Sequence, residues 1–234
     1  MKKVLIIDDD HFFHQVIKSQ LETQDLKCHT CKTYAAAREW IATQGTPDII
    51  LLDYDLGPGQ KSGIDICRQI KETMSLPVIM VSGDERLQTI VACLDAGADQ
   101  YILKPYALEE LLARMRAAFR LYDRTVAEPA EPILNAGAIS LNTQSGDLTI
   151  GDAAVRLTDM EVAVTRLLLQ HFGALTDRDE LCQTLYGRNF DPANRSLDVL
   201  VGRLRKKIAS ISAGYAIKNV RGKGYRLHPT TGRR

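Results

Sequence analysis

Asp8, Asp9 and Asp10, then Asp53, Ser82, Tyr101 and the pair Lys104-Pro105, fall in that order along the first half of the chain. Each lies at or near the carboxyl end of an apolar run: VLII, IILL, VIMV and YIL in turn. Carboxylates gathered at one place repel, and their pKa values rise unless a cation intervenes. Ligands that offer only oxygen suit Mg²⁺, which takes one or two carboxylates and completes its shell with water and substrate phosphate. Asp53 is placed to act as a nucleophile, giving an acyl phosphate after in-line attack on a phosphoryl donor. Such transfer asks the protein mainly for positioning and charge neutralisation. Lys104 supplies a point charge for the phosphoryl oxygens, Ser82 a hydroxyl, and Gly83 leaves the approach open. Singly, each residue has a plainer use: Asp10 as a helix cap, Lys-Pro as a turn. Their common order at apolar ends is what points to chemistry.

The elements that must position these groups alternate between strand and helix. KVLIID, LKCHTC, DIILLD, LPVIMVSG and ADQYIL read as strands. HFFHQVIKSQLETQ, AAAREWIATQG, GIDICRQIKETM, RLQTIVACLDAG and ALEELLARMRAAFRLYDR read as helices, the first carrying Phe12, Val16, Ile17 and Leu21 at helical spacing. Alternation of this kind predicts parallel crossovers and an α/β doubly wound, five-stranded sheet. Ligands of such sheets bind outside the carboxyl ends of the strands, where all the residues named above would converge.

The 234 residues are enough for two domains. Residues 1–122 are expected to form the first, 123–133 a linker carrying TVAEPAEPIL, and 134–230 the second. Charge divides along the same line. Residues 1–123 hold 14 Lys and Arg against 18 Asp and Glu, and the remainder 16 against 11, so a net charge of +1 conceals an acidic half and a basic one. Only the basic half is suited to nucleic acid. The apolar runs are too short to span a membrane, which takes about 20 residues. MKKVLII resembles the start of a signal peptide, but three aspartates end it, so a cytoplasmic protein with no membrane partner is expected. Five cysteines at irregular spacings fit reduced thiols, and Cys28-His29-Thr30-Cys31 lacks a second ligand pair for zinc.

In the second half, short segments around Gly137, Gly146 and Gly151 predict a small antiparallel sheet. Thr158-x-x-Glu161 forms a capping box for the next helix, Asp177 or Thr176 caps another, and a third runs from Asn194 to about Ser210. A basic hairpin, YAIKNV-RGKG-YRL, follows. Leu197, Val201, Leu204 and Ile208 define the core face of the third helix. Its other face presents Arg195, Val199, Gly202 and Lys206, flanked by Asp198 and Arg203, to double-stranded DNA. Arg195 or Arg203 is placed to reach a guanine edge, and Arg221 at the hairpin tip a narrow minor groove.

With these residues in view, IIDDD, ILLDYD, VSGD and YILKPY make residues 1–122 resemble the response-regulator receiver domain, which has a flavodoxin-like fold. LTDMEVAVTRLLL, RSLDVLVGRLRKKI and NVRGKGYRL make residues 134–230 resemble the α+β winged helix of the OmpR/PhoB type. The resemblance implies a two-component system: a sensor histidine kinase phosphorylating Asp53, homodimerisation, and binding of tandem DNA half-sites with RNA polymerase as partner. It implies Mg²⁺ held by Asp9, Asp53 and the backbone carbonyl of Asp55, with Asp8 acting mainly through water. Ser82 then stands at the switch hydroxyl, Lys104 at the phosphoryl-binding lysine, and Tyr101 at the aromatic that turns inward on activation.

The chain also departs from the family pattern. The loop GPGQKSG is about two residues longer than usual. On the dimer face Asp99, Glu110 and Arg114 fit the expected salt bridges, whereas Ile90, Gln100 and Leu121 replace charged partners, predicting a more apolar or weaker face. Gly202 stands where relatives resemble one another in carrying Arg, predicting weaker DNA contact. Two rival readings exist. Asp53-x-Asp55, Ser82 and Lys104 match a haloacid-dehalogenase-type phosphatase, but its later acids are missing. A receiver acting without phosphorylation is disfavoured by the intact acid set. The leading expectation is therefore a phosphorylation-controlled regulator, not an enzyme, in which Asp55 influences acyl-phosphate lifetime.

Overall fold

The structure, a computed structural model, describes residues 1–127, 133–191 and 196–230, with the side chains of 124–127 left aside. The chain divides into two compact units, Met1–Phe119 and Arg120–Arg234.

In the first unit the elements run β1 (Lys2–Ile7), α1 (His11–Glu22), β2 (Leu26–Cys31), α2 (Tyr34–Gln44), β3 (Ile49–Leu52), α3 (Gly63–Thr73), β4 (Val78–Ser82), α4 (Leu87–Asp95), β5 (Gln100–Leu103) and α5 (Leu108–Ala127). The five strands pair in parallel in the order β2-β1-β3-β4-β5. Val4–Ile7, Ile49–Leu52 and Val78–Val81 are buried throughout, as strands covered on both faces must be. The winding reverses beside β1, so the carboxyl ends of β1 and β3 flank the crevice. Asp8 follows one and Asp53 the other.

Several expectations are corrected here. Phe12 and Val16 are 74% and 39% exposed, while the inward face of α1 is His14, Ile17 and Leu21. At about 100° per residue, Phe12 and Val16 lie about 100–180° from Ile17 and Leu21, so one helix carries two apolar stripes. Helix α5 continues to Ala127, making 123–127 helical rather than extended; the rest of the expected linker, 128–132, lies outside the described residues. Cys28 and Cys31 are buried on β2, and an odd separation along a strand puts them on opposite faces. Burial pushes the Cys28 thiol up to about 11, which suits packing.

The second unit opens with an antiparallel meander, β6 (Ile133–Ala136), β7 (Ile139–Asn142), β8 (Asp147–Ile150) and β9 (Ala153–Arg156). Then come α6 (Asp159–Gln170), β10 (Thr176–Asp177), α7 (Arg178–Tyr186), α8 (Ser196–Ile211), β11 (Tyr215–Val220) and β12 (Gly224–Pro229). Of the capping box the Glu161 half is formed, its carboxylate accepting from the Thr158 amide at 2.8 Å, and the Asp177 carboxylate caps α7 by accepting from the Asp179 amide. Leu197, Val201, Leu204 and Ile208 are buried as their spacing requires. Glu161, itself buried, also accepts from Lys207 Nζ at 2.7 Å, which ties α8 to the start of α6. The two-residue β10, too short to be read from pattern, pairs with β12 and anchors the hairpin. Gly224 makes that pairing possible, because a Cβ there would lie 2.0 Å from the Thr176 carbonyl oxygen.

Candidate phosphoryl site and nucleic-acid interface

Lys104 unites the crevice. Its Nζ lies 2.6 Å from Asp8 Oδ2 and 3.1 Å from Asp53 Oδ1, joining residues 96 and 51 positions away in sequence. The backbone holds both acids in place: Asp8 Oδ1 accepts from the Asp10 amide and Asp53 Oδ2 from the Asp55 amide, each at 2.9 Å. The Lys104 ammonium also sits 4.2 Å from the centroid of the Phe13 ring, a cation–π contact that restricts where it can go.

Burial pushes the Asp53 carboxyl above its ordinary value; Lys104 pulls the other way without overcoming it. Burial opposes the charge on Lys104, but the bond to Asp8 and attraction to Asp53 outweigh it, and that amine stays firmly protonated. Asp8 and Asp53 face one ammonium, which leaves one formal negative charge uncompensated, and the adjacent, exposed Asp9 adds a second. That excess, on an all-oxygen donor set, fits one hard divalent cation. Asp9 is exposed and stands apart, its Oδ2 3.0 Å from where a Cβ on Gly57 would project. Among the described residues no group of three His, Cys, Asp or Glu side chains closes into a metal cage.

Gly63 positions Asp53, and sequence reasoning missed it. A Cβ at Gly63 would lie 2.3 Å from the Asp53 carbonyl oxygen and 2.8 Å from Tyr54 Cα, and its amide donates to the Tyr54 carbonyl at 2.8 Å. The long loop after Asp53 therefore folds back against the strand end. Within it the Asp55 carboxylate accepts from the Gly57 amide at 3.0 Å, so it serves the turn.

On the other side of the crevice, Ser82 is buried and its hydroxyl accepts from the Asp84 amide at 3.2 Å. Tyr101 is buried, and its hydroxyl donates to the Asp84 carbonyl at 2.6 Å. Burial raises that phenol to about 12. Ser82 and Tyr101 thus both meet Asp84, a second residue that sequence reasoning passed over. The Asp84 carboxylate is clamped by Arg86 at 2.5 Å and by the Thr89 hydroxyl at 2.9 Å, and the Arg86 hydrogen bonds hold it well below the usual carboxylate range.

Several residues expected on the dimer face are engaged within their own chain. Asp99 is 3% exposed, paired with Lys71 at 3.1 Å, and accepts from the Val78 amide at 2.7 Å; it closes the sheet edge internally. Gln100 and Leu121 are buried as well. Arg114 donates to Glu110 at 2.6 Å and to Gln100 at 3.2 Å within its own chain.

In the second unit, Lys206 and the hairpin-tip Arg221 are exposed, while Val199, Gly202 and Arg203 are half-buried on α8. Arg195 lies outside the described residues. No atom stands within 4 Å of a Cβ built on Gly202, so that face of α8 is open. Asp198, expected beside the outer face, instead bonds inward to Arg178 and Tyr225. Lys218, Lys223 and Arg226 are exposed on the hairpin and extend the basic surface beyond the one arginine that sequence reasoning selected.

A doubly wound domain with an acidic phosphoryl crevice, joined to a basic winged helix, defines a phosphorylation-switched DNA-binding protein. Residues 4–116 match the response regulator receiver domain, and residues 152–227 match the C-terminal domain of transcriptional regulatory proteins. Response regulator MprA of Mycobacterium avium (strain 104) is 32% identical over 231 residues, covering 97% of this chain and 99% of that protein. Heme response regulator HssR of Staphylococcus epidermidis is 28% identical over 227 residues, covering 97% and 98%. A mutant of RitR shares the fold with a TM-score of 0.75 at 22% identity, covering 98% of this chain and 100% of that one. The chain belongs to the two-component response regulators of the OmpR/PhoB type. It is a phosphorylation-dependent transcription regulator, and membership brings a histidine kinase as phosphoryl source and DNA as target. Nothing favours the phosphatase alternative or a receiver working without phosphorylation. Among the described residues no helix is long and apolar enough to cross a membrane.

Proposed function

We propose that Asp53 is the phosphoacceptor, and that Mg²⁺ is held by Asp9, Asp53 and the Asp55 carbonyl, with Asp8 acting through water. The observation that carries this reading is Lys104 bridging Asp8 and Asp53 with one negative charge left over, to which the neighbouring Asp9 adds a second. An Asp53 oxygen attacks phosphorus, the bond from phosphorus to the kinase histidine breaks, and the imidazole leaves with that electron pair. Magnesium, when bound, neutralises charge on the phosphoryl oxygens. Lys104 turns from Asp53 toward a phosphoryl oxygen as the carboxylate becomes an ester-like group. Ser82 donates its hydroxyl to a second oxygen, and Tyr101 fills the space behind it. The output side is DNA contact by Arg195, Val199, Gly202, Arg203, Lys206 and Arg221 on tandem half-sites, with RNA polymerase as a further partner, in the cytoplasm. Intact mass after incubation with acetyl phosphate and Mg²⁺ tests the acceptor. One added phosphoryl group is expected, and none on Asp53→Ala; an equal gain on that variant would move the acceptor elsewhere.

Dimerisation on phosphorylation completes the proposal. Arg114 and Glu110 satisfy each other within one chain, and Ile90 stands with exposed Leu87 on α4. An apolar contact between copies follows from this. Its association constant should change by less than about threefold between low and high salt, since exposed charges are screened and apolar area is not. Sedimentation of the phosphorylated protein at two ionic strengths measures this, and a dimer that dissociates in salt would restore the ion-pair model.

A further inference from the structure

The second unit contains an ion-pair cluster built around Arg178. Arg178, the first residue of α7, donates from Nη2 to Asp198 Oδ1 at 2.9 Å. Asp198 lies in the first turn of α8 and also accepts from the Tyr225 hydroxyl on β12. The Arg178 guanidinium is 4.6 Å from the centroid of Phe190 and 4.9 Å from that of Tyr225, so it is held by two rings. Its side chain is 12% exposed, and its backbone amide donates to the Lys223 carbonyl at the hairpin turn. Phe190 belongs to the loop between α7 and α8, and its amide donates to Asp179 Oδ1 at 2.7 Å. Asn189 in the same loop accepts from Gln183 Nε2 at 2.5 Å.

Four segments therefore meet on one side chain: the start of α7, the α7–α8 loop, the first turn of α8 and the hairpin strand β12. On the Asp198 carboxylate the Arg178 guanidinium and the Tyr225 hydroxyl donate to the same oxygen. A planar group is needed to lie against two rings while its edge reaches a carboxylate, which arginine provides and lysine does not. An acid in the first turn of α8 also complements the helix dipole.

We propose that Arg178, Asp198 and Tyr225 are positioning residues that lock the DNA-reading helix, the hairpin and the 187–191 loop into one body. A shift of α8 on DNA is then felt by the loop through Arg178 and Phe190, and displacement of the loop loosens the first turn of α8. The proposal rests on the DNA-binding reading for its consequence, but not for its geometry.

The test uses the full chain and two conservative variants. Tyr225→Phe removes one hydroxyl and leaves the buried ring; Arg178→Lys keeps the charge and loses the plane. Hydrogen exchange is followed on peptides covering 187–191 and 196–203, with α6 as internal reference. Affinity is measured with a mixed-sequence fluorescent duplex. Both variants should speed exchange in the two segments together while α6 is unchanged, and should weaken DNA binding about tenfold, as loss of a bond to a charged group implies. Arg178→Lys should not behave as wild type. If it fails to fold, Tyr225→Phe alone decides. Unchanged exchange in either segment overturns the joint, and so does faster exchange with undiminished affinity. A wild-type chain that binds no duplex would sink the DNA-binding reading, and exchange alone would then decide the joint.

Discussion

Lys104 and Arg178 each gather distant segments onto a single cation, yet the two clusters end in opposite conditions. Around Lys104 the acids outnumber the base, the Asp53 carboxyl is held above its ordinary pKa by burial, and the excess charge suits a cationic ligand. Around Arg178 the guanidinium edge meets one carboxylate, a phenol donates to the same oxygen, and two rings lie against the faces. The first cluster has acids to spare for a ligand; in the second the contacts run between parts of the same fold. Residual charge separates a site from a joint more clearly than the number of ionic contacts does.

The sharpest way to break this comparison is to remove the acceptor. Asp53→Asn should abolish phosphorylation by acetyl phosphate, read as intact mass, and should raise the stability of the metal-free protein at neutral pH. The sign follows from the raised carboxyl pKa. The folded protein holds the Asp53 proton more tightly than the unfolded chain does, so stability declines as pH rises from the ordinary 3.8 to the folded value. Above that the burden of the buried charge is present in full. Asn carries no such burden, and its advantage should vanish as pH falls toward 3.8. Mg²⁺ should raise the melting temperature of the wild type more than that of Asp53→Asn. A variant less stable than wild type at pH 7 would mean that Lys104 already balances Asp53.

Next in size is Gly63→Ala. The new Cβ would press on the Asp53 carbonyl oxygen and on Tyr54 Cα, backbone atoms that cannot swing aside. Overpacking of that kind costs about 1–3 kcal/mol. Displacing the nucleophile by a fraction of an ångström should slow phosphorylation about a hundredfold. Thermal melts and the rate of mass gain report the two effects separately. Wild-type kinetics in a destabilised protein would show that Gly63 serves folding alone.

Gly63 also marks where the sequence stops being readable. Asp8, Asp53, Ser82 and Lys104 were legible because a parallel sheet sends all strand ends to one edge, and order alone was enough to bring them together. Gly63 acts through a close approach between a loop and a strand, which no spacing encodes. Asp99 was given to the dimer face by the family resemblance; its partners, Lys71 and the Val78 amide, come from elements that only the fold makes neighbours. Phe12 and Val16 fit a helical period that was correct in form and assigned to the wrong stripe. In the second unit the core face of α8 was plain from its period, whereas the inward turn of Asp198 depended on Arg178 and Tyr225, which are distant in sequence.

The smallest effect sharpens the comparison from the DNA side. Gly202 is open on α8, with nothing within 4 Å of a built Cβ, so Gly202→Arg adds a cation without displacing any neighbour. Replacing glycine inside a helix should stabilise the unit by about 0.8–1 kcal/mol. If the new guanidinium reaches a phosphate, affinity for a mixed-sequence duplex should rise about fivefold at low salt, as one exposed charge-assisted bond allows. The slope of log affinity against log salt should then steepen by about 0.9, one more counterion released. That slope is the decisive quantity, because tighter binding with an unchanged slope would come from a stiffer helix, and Gly202 would then face away from the phosphates. An unchanged affinity together with an unchanged slope would remove this face of α8 from the DNA interface, leaving the hairpin cations Lys218, Arg221, Lys223 and Arg226 to carry it.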